Sequence, residues 1–209
     1  MAGRPPLHQA AAGTIVAILA AAVLAADQFT KHLAIENLPP GEPVPVLGDF
    51  LIFILVRNPG AAFSLGEGVT WLFTIALAAV AVAIVWFAVR GIRSRLWAVA
   101  LGLLLGGVLG NLTDRVFREP GFPIGHVVDF INTPWMMPAI YNVADIFIVS
   151  MMIGIALLVL VGLRLDGGRD RGRSDDDTAP TAEHPASTDA PIDADTTDAA
   201  PDGPGAPRA

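Results

Sequence analysis

Two aspartates, Asp129 and Asp145, stand in the apolar stretch GHVVDFINTPWMMPAIYNVAD, residues 125–145. A carboxylate among apolar neighbours is costly unless it is paired, protonated or put to use. Two carboxyls that share one such site cannot both ionise easily, so one keeps its proton. The ionised acid can then take a proton from water while the neutral one donates to a carbonyl oxygen, which is general acid–base hydrolysis. The proton belongs to the pair, so neither residue has a fixed role.

Seven further polar residues occupy comparable places: Asp27, Lys31, Asn58, Asn111, Asp114, Arg115 and Asn142. Each also has a plainer reading. Asp27 and Lys31, at i and i+4 with the acid first, fit an ion pair on one helix face. That pair either anchors a helix end at the membrane interface or supports a site. Asn58 with Pro59 and Gly60 reads first as a turn, and the small residues after it would let a ligand approach the backbone. Asn142 as a helix cap with Asp145 in the first turn is good helix-start chemistry, but it leaves Asp129 unexplained. Asn111 falls at a span boundary, where an amide must find partners. Arg115 has three candidate partners: Asp114, a lipid phosphate or a catalytic carboxylate.

Other chemistries find less support. There is no cysteine, which excludes disulfides, thiol catalysis and cysteine-ligated metal. No HExxH occurs, and His8, His32, His126 and His184 are dispersed, which argues against a zinc hydrolase. No metal or cofactor is expected. A serine mechanism would need Ser64 with Lys31 as base, and nothing fixes their approach.

The elements that must position these groups are membrane spans. The chain has 209 residues, 53% of them hydrophobic, and a mean hydropathy of +0.57. That points to an integral membrane protein. Most of the net charge of -7 lies from Arg164 onward, no basic patch suggests nucleic acid, and the remainder is nearly neutral. Four segments, residues 10–34, 69–89, 96–112 and 143–163, are long and apolar enough to span. The first also fits a secretory signal peptide, with Arg4, an apolar run and small residues before Asp27. Apolar helical spacing through Phe29, Leu33 and Ile35 argues instead for one continuing helix.

Positive charge orients the spans. Arg4, Arg90, Arg93, Arg95, Arg164, Arg169, Arg171 and Arg173 all fall on one side, predicted to be the cytoplasm. Both termini are then inside, and all nine polar residues named above lie at the outer ends of spans or in outer loops. Residues 43–47 and 50–56 predict a short hairpin around Gly48-Asp49. The second run does not alternate, so both its faces should meet apolar material. Val127 to Ile131 is strand-like, and Trp135-Met136-Met137 is placed at the membrane interface. The second span carries no charge and is assigned to packing. Gly102, Gly106 and Gly110 line one face of the third span, for helix packing or a groove for a lipid chain. The segment after Leu165, rich in Asp, Ala, Pro, Thr and Gly, predicts disorder.

Five blocks together resemble lipoprotein signal peptidase (signal peptidase II), an aspartic endopeptidase family of the bacterial cytoplasmic membrane. They are Asp27-Gln28-Phe29-Thr30-Lys31, Asn58-Pro59-Gly60-Ala61-Ala62-Phe63-Ser64, Gly110-Asn111-Leu112-Thr113-Asp114-Arg115, Val127-Val128-Asp129-Phe130 and Asn142-Val143-Ala144-Asp145. They occur in the family's order between residues 10 and 163. The resemblance implies that Asp129 and Asp145 are catalytic and that Asn58, Asn111, Arg115 and Asn142 surround them. It implies that Asp27 and Lys31, with Asp114, support the architecture. It implies a substrate, a prolipoprotein whose lipobox cysteine bears diacylglycerol, cut just before that cysteine. Tyr141 departs from the family pattern, where phenylalanine is common, and so does Thr113, where an aliphatic residue is frequent.

The expected architecture is an all-α, multi-pass membrane protein, monomeric among membrane lipids, with four transmembrane helices and a small extracytoplasmic β-hairpin region. Residues 1–9 form a cytoplasmic N-terminus, 10–165 the peptidase domain and 166–209 a disordered acidic cytoplasmic tail. Two rival classes remain. A proton-coupled transporter would use Asp27 and Asp145 as carriers but predicts mid-membrane acids or broken helices. A non-catalytic assembly factor would use the glycine face and would not require Asp129.

Overall fold

The computed structural model describes residues 7–60, 69–166 and 168. The expectations for Ala61, Ala62, Phe63 and Ser64, for the first six residues and for the tail beyond residue 168 lie outside the described residues. Eight elements follow in order: α1 (Gln9–Asn37), β1 (Val44–Leu47), β2 (Leu51–Asn58), α2 (Thr70–Arg90), α3 (Arg95–Phe117), β3 (Val127–Thr133), β4 (Met137–Tyr141) and α4 (Val143–Leu160). By length and composition, all four helices can cross a bilayer. The shortest, α4 with 18 residues, is about 27 Å long at the usual helical rise.

α1 runs unbroken through Asp27, as its apolar spacing predicts, and stops just before Pro39-Pro40, where missing amide N–H groups cannot extend a helix. Its buried residues are Ala12, Val16, Ala20, Val23, Asp27, Lys31 and Ala34, a stripe at three- and four-residue spacing that marks one helix face. The acid and the base thus continue the apolar stripe inward instead of sitting at the lipid interface. α4 ends at Leu160, short of the expected 163. Gly162 follows with a left-handed φ of 67°, the conformation that closes helices, and the freed Leu163 carbonyl accepts from Trp97 Nε1 at 3.0 Å.

α3 is the central helix, buried along most of its length. The glycine face predicted for packing is occupied by α1, which excludes the lipid-groove alternative. A β-carbon at Gly102 would lie 3.0 Å from the Val16 Cα, and one at Gly106 would lie 2.5 Å from the Val23 Cβ. At Gly110 it would lie 2.5 Å from Asp27 Oδ2. On a neighbouring face Gly107 admits α4, with a notional β-carbon 2.7 Å from the Ala144 carbonyl. Small residues let the three backbones approach closely, and that approach brings the polar ends of α1, α3 and α4 together.

The four expected helices are present, and the small β region is larger than one hairpin. The two loops at one end of the bundle form two hairpins joined into one antiparallel sheet of order β1-β2-β3-β4. Residues 137–141, for which no strand was expected, form β4, with Ile131 opposite Tyr141 and Asn132 opposite Ile140. β2 pairs with β3, Val56 facing Asp129 and Asn58 facing Val127. This pairing links residues some seventy positions apart, which local patterns do not reveal. Val128 and Phe130 point to one side and pack with Ala34 and Leu55 in a core beneath the sheet. By the two-residue strand period, Asp129 faces the other way. β2 is partly buried along its length, which accounts for its lack of alternation.

Candidate active site

Asp129 is fixed by the sheet. Asn58 lies two residues along β2 from Val56, the partner of Asp129, so the two share a face as diagonal neighbours. Asn58 Nδ2 donates to Asp129 Oδ2 at 2.9 Å while its Oδ1 accepts from the Gly60 amide at 3.0 Å. Asn58 thus holds the turn at Gly60 and the Asp129 carboxyl at once. Asp145 is fixed by the helix start. Asn142 Oδ1 accepts from the Asp145 amide at 3.0 Å, and Asp145 Oδ2 accepts from the Asn142 amide at 3.2 Å. This is a complete capping box. The remaining amide group joins the two halves: Asn142 Nδ2 donates to Asp129 Oδ1 at 2.6 Å. Asn111 Nδ2 donates to Asp145 Oδ1 at 2.8 Å. Every oxygen of the two carboxyls thus accepts an N–H.

Behind this layer lies a buried charge cluster. Lys31 Nζ contacts Asp27 Oδ2 and Asp114 Oδ2, each at 2.8 Å, and all three side chains are fully enclosed. Its third bond goes to Asn111 Oδ1 at 3.0 Å. Asp27 Oδ1 also accepts from the Ala144 amide at the start of α4, and Asp114 Oδ2 from the Val128 amide in β3. The cluster therefore ties α1 and α3 to the two elements that carry Asp145 and Asp129. A plain interfacial salt bridge is ruled out by this burial.

Two members were missed by sequence reasoning. Gln28 Nε2 lies 3.1 Å from Asp27 Oδ2, Asp114 Oδ1 and the Gly110 carbonyl. Arg118 Nε reaches Asp114 Oδ1 at 2.6 Å. Arg118 had a legible signal in its i,i+4 spacing from Asp114; Gln28 had only its place between Asp27 and Lys31. Arg115 is buried and makes no close ion pair with Asp114, Asp129 or Asp145, though their charges act on it. Its guanidinium donates to the backbone carbonyls of Pro59, Gly60 and Gly125, and so clasps the end of β2 to the approach to β3. Gly125 fits this crossing because a β-carbon there would lie 2.6–2.8 Å from the carbonyls of Asp114, Arg118 and Arg115.

Asp129 and Asp145 open onto one cavity of about 370 Å³, lined also by Asn58, Asn111, Arg115 and Tyr141. Its far wall corrects the assignment of α2 to packing alone. Phe73, Ala76, Leu77 and Val80 line it from α2, and Val149 from α4. Those α2 positions recur at three- and four-residue spacing, one helix face, so the cavity runs from the carboxyls down between two apolar helices. Burial, and next the charge of Asp145, push the Asp129 carboxyl up from 3.8 to about 7, against the donors from Asn58 and Asn142 and the charge of Lys31. A carboxyl that keeps its proton near neutral pH, beside a second carboxyl, is suited to proton donation and acceptance in one step.

A family model described as signal peptidase (SPase) II matches residues 19–164, well over half the chain. The chain belongs to the signal peptidase II family. Among curated members, the lipoprotein signal peptidase of Leifsonia xyli subsp. xyli is 50% identical over 169 residues, 80% of this chain and 77% of that protein. That of Rhodococcus jostii is 47% identical over 166 residues, 79% of this chain and 81% of that one. A solved structure described as a bacterial membrane enzyme superposes with a TM-score of 0.64 at 28% identity, covering 76% of this chain and 93% of its own. A second, so described, gives 0.61 at 32% identity, covering 71% and 93%. As a signal peptidase II family member with four spanning helices, the protein is a multi-pass membrane peptidase.

Proposed function

We propose that this chain is an aspartic endopeptidase of the bacterial cytoplasmic membrane. In this reading it removes the signal peptide from diacylglyceryl-modified prolipoproteins, cutting just before the lipidated cysteine. One observation carries the reading: two carboxyls, Asp129 and Asp145, open onto a single cavity whose far wall is made of apolar residues of α2 and α4. Relatives named lipoprotein signal peptidase support the substrate class. A diacylglyceryl group leaves the bilayer only at a cost of about 0.8 kcal/mol per CH₂, so its peptidase must admit it sideways. The cavity between α2 and α4 suits such entry.

The dyad works with one proton. Its ionised carboxylate takes a proton from water as the water oxygen attacks the scissile carbonyl carbon, and its neutral partner donates to the carbonyl oxygen. Collapse of the tetrahedral intermediate breaks the C–N bond. The amine leaves with the proton taken from water, and the donated proton returns to the pair. Asn58, Asn111 and Asn142 hold the carboxyls, Arg115 holds the backbone beside them, and Lys31, held by Asp27 and Asp114, holds Asn111. No cofactor enters these steps.

Arg90, Arg93, Arg95 and Arg164 lie at the bundle end opposite the sheet, which supports a cytoplasmic location for that end. Residues 1–9 and the tail 166–209 are then cytoplasmic, residues 10–165 form the peptidase domain, and the dyad and sheet face outward. One chain supplies every group named, so a monomer suffices. The test is a gel-shift assay of the purified protein in lipid nanodiscs, on one lipobox substrate with and without diacylglycerol. Cleavage of the lipidated form alone, unchanged by a chelator, is expected. Equal cleavage of both forms would remove the lipid requirement, and loss with chelator restored by zinc would replace the acid pair with a metal.

A further inference from the structure

We infer that Lys31 is a positioning residue for the reaction: by donating to Asn111 Oδ1 it fixes which end of the Asn111 amide faces Asp145. The inference rests on the aspartic reading above and adds a directional element to it. Asn111 Oδ1 accepts from two donors, Lys31 Nζ at 3.0 Å and Asn142 Nδ2 at 3.1 Å. With the oxygen held there, the Asn111 NH₂ group points to Asp145 Oδ1 at 2.8 Å. Turning the amide over would set its NH₂ against an ammonium and a second NH₂, and its oxygen against a carboxylate. Asn142 is fixed in the same sense, because its Oδ1 is taken by the Asp145 amide. Its NH₂ therefore serves Asn111 and Asp129 together.

Lys31 is itself immobile. Asp27 and Asp114 take its other two N–H bonds, and Gly110 lets Asp27 lie where a β-carbon would be 2.5 Å from Oδ2. Arg118 and Gln28 hold the far oxygen of Asp114. The lysine touches neither Asp129 nor Asp145, yet through Asn111 it dictates that Asp145 receives a donor. Without it, the Asn111 amide has one orienting donor fewer and can present its oxygen to Asp145, which then must carry a proton to meet it.

Two charge-balanced double variants separate this direction from mere structure. Asp27→Asn with Lys31→Gln and Asp27→Asn with Lys31→Met remove the same acid and the same base. Only the first keeps an N–H donor toward Asn111. Expected at matched thermal stability is a kcat at least about tenfold lower for the methionine version, with similar KM, one oriented hydrogen bond being worth about that much. Equal kcat in the two overturns the inference.

If neither double variant yields folded protein, Asn111→Asp decides alone. Its new carboxyl keeps an acceptor toward Lys31 and Asn142 but meets Asp145 oxygen to oxygen. The charged groups around it are Asp27 and Lys31 from α1, Asp114 and Arg115 from α3, Asp129 from β3 and Asp145 from α4. The added negative charge makes the acids it faces hold their protons to higher pH, and the alkaline limb of the pH–rate profile moves up by about one unit or more. A limb superimposable on wild type overturns the inference. In the same assay, active Asp145→Asn would sink the aspartic reading itself, whereas inactive Asp145→Asn with equal double variants would sink only this inference.

Discussion

At the scale of the residue, the dyad is an exercise in holding a costly group. Asp129 is 3% exposed, and its carboxyl is pushed up to about 7. The consequence for stability has a definite sign. Between the ordinary value of 3.8 and about 7, the folded chain keeps a proton that the unfolded chain has released. Stability therefore falls as pH rises through that window, by about 4 kcal/mol in full. Thermal unfolding in detergent at pH 5 and pH 8 should show the wild-type midpoint falling with pH relative to Asp129→Asn, which has lost the titrating group; parallel midpoints would contradict the shift. Asn142 combines two duties, capping α4 and joining Asp129 to Asn111. Asn142→Ala should cost about 0.5–2 kcal/mol for the cap, read as a lower unfolding midpoint. It should also lose turnover beyond what that midpoint explains, since Asp129 loses a donor. Residue types made this layer legible: acids and amides in apolar runs stand out. Arg115 was legible as a site candidate but not as to partner, because backbone carbonyls leave no mark in a sequence.

At the scale of the element, helix existence was readable from apolar length alone, and α1 was correctly continuous through Asp27. The role of α2 was not readable. Phe73, Leu77 and Val80 look the same whether they face lipid, a neighbour or a cavity. The sheet was half readable. The hairpin of β1 and β2 announces itself through Gly48-Asp49, but β4 is short, holds Pro138, and exists through its pairing with β3. The glycines of α3 gave a clear packing signal, and their geometry sets a testable limit. A single methyl at position 106 would meet Val23 Cβ at 2.5 Å and the Ala20 carbonyl at 2.8 Å. Gly106→Ala should therefore destabilise by about 1–3 kcal/mol, the usual cost of overpacking, despite alanine's better helix propensity. An unchanged or raised unfolding midpoint would mean that α1 and α3 are further apart than described.

At the scale of the whole molecule, the bundle and the sheet divide the labour. Helices α1 and α3 carry the charge cluster, α4 and β3 carry one acid each, and α2 closes the cavity with an apolar face. The proposed orientation puts the sheet outside, and the chain's lack of cysteine makes it easy to check. A lone cysteine at Asp49, in the β1–β2 turn, should react with an impermeant thiol reagent on intact spheroplasts, and one at Arg93 only after lysis. The reverse pattern would invert the topology and move the dyad to the cytoplasm. The proposed activity stands on the acid pair, and the most direct measurement is cleavage of a diacylglyceryl-modified lipobox substrate by purified Asp129→Asn and Asp145→Asn. Each variant is predicted to insert and fold yet lose at least about 100-fold in turnover, the scale of general acid–base catalysis; near wild-type cleavage by either folded variant would contradict it.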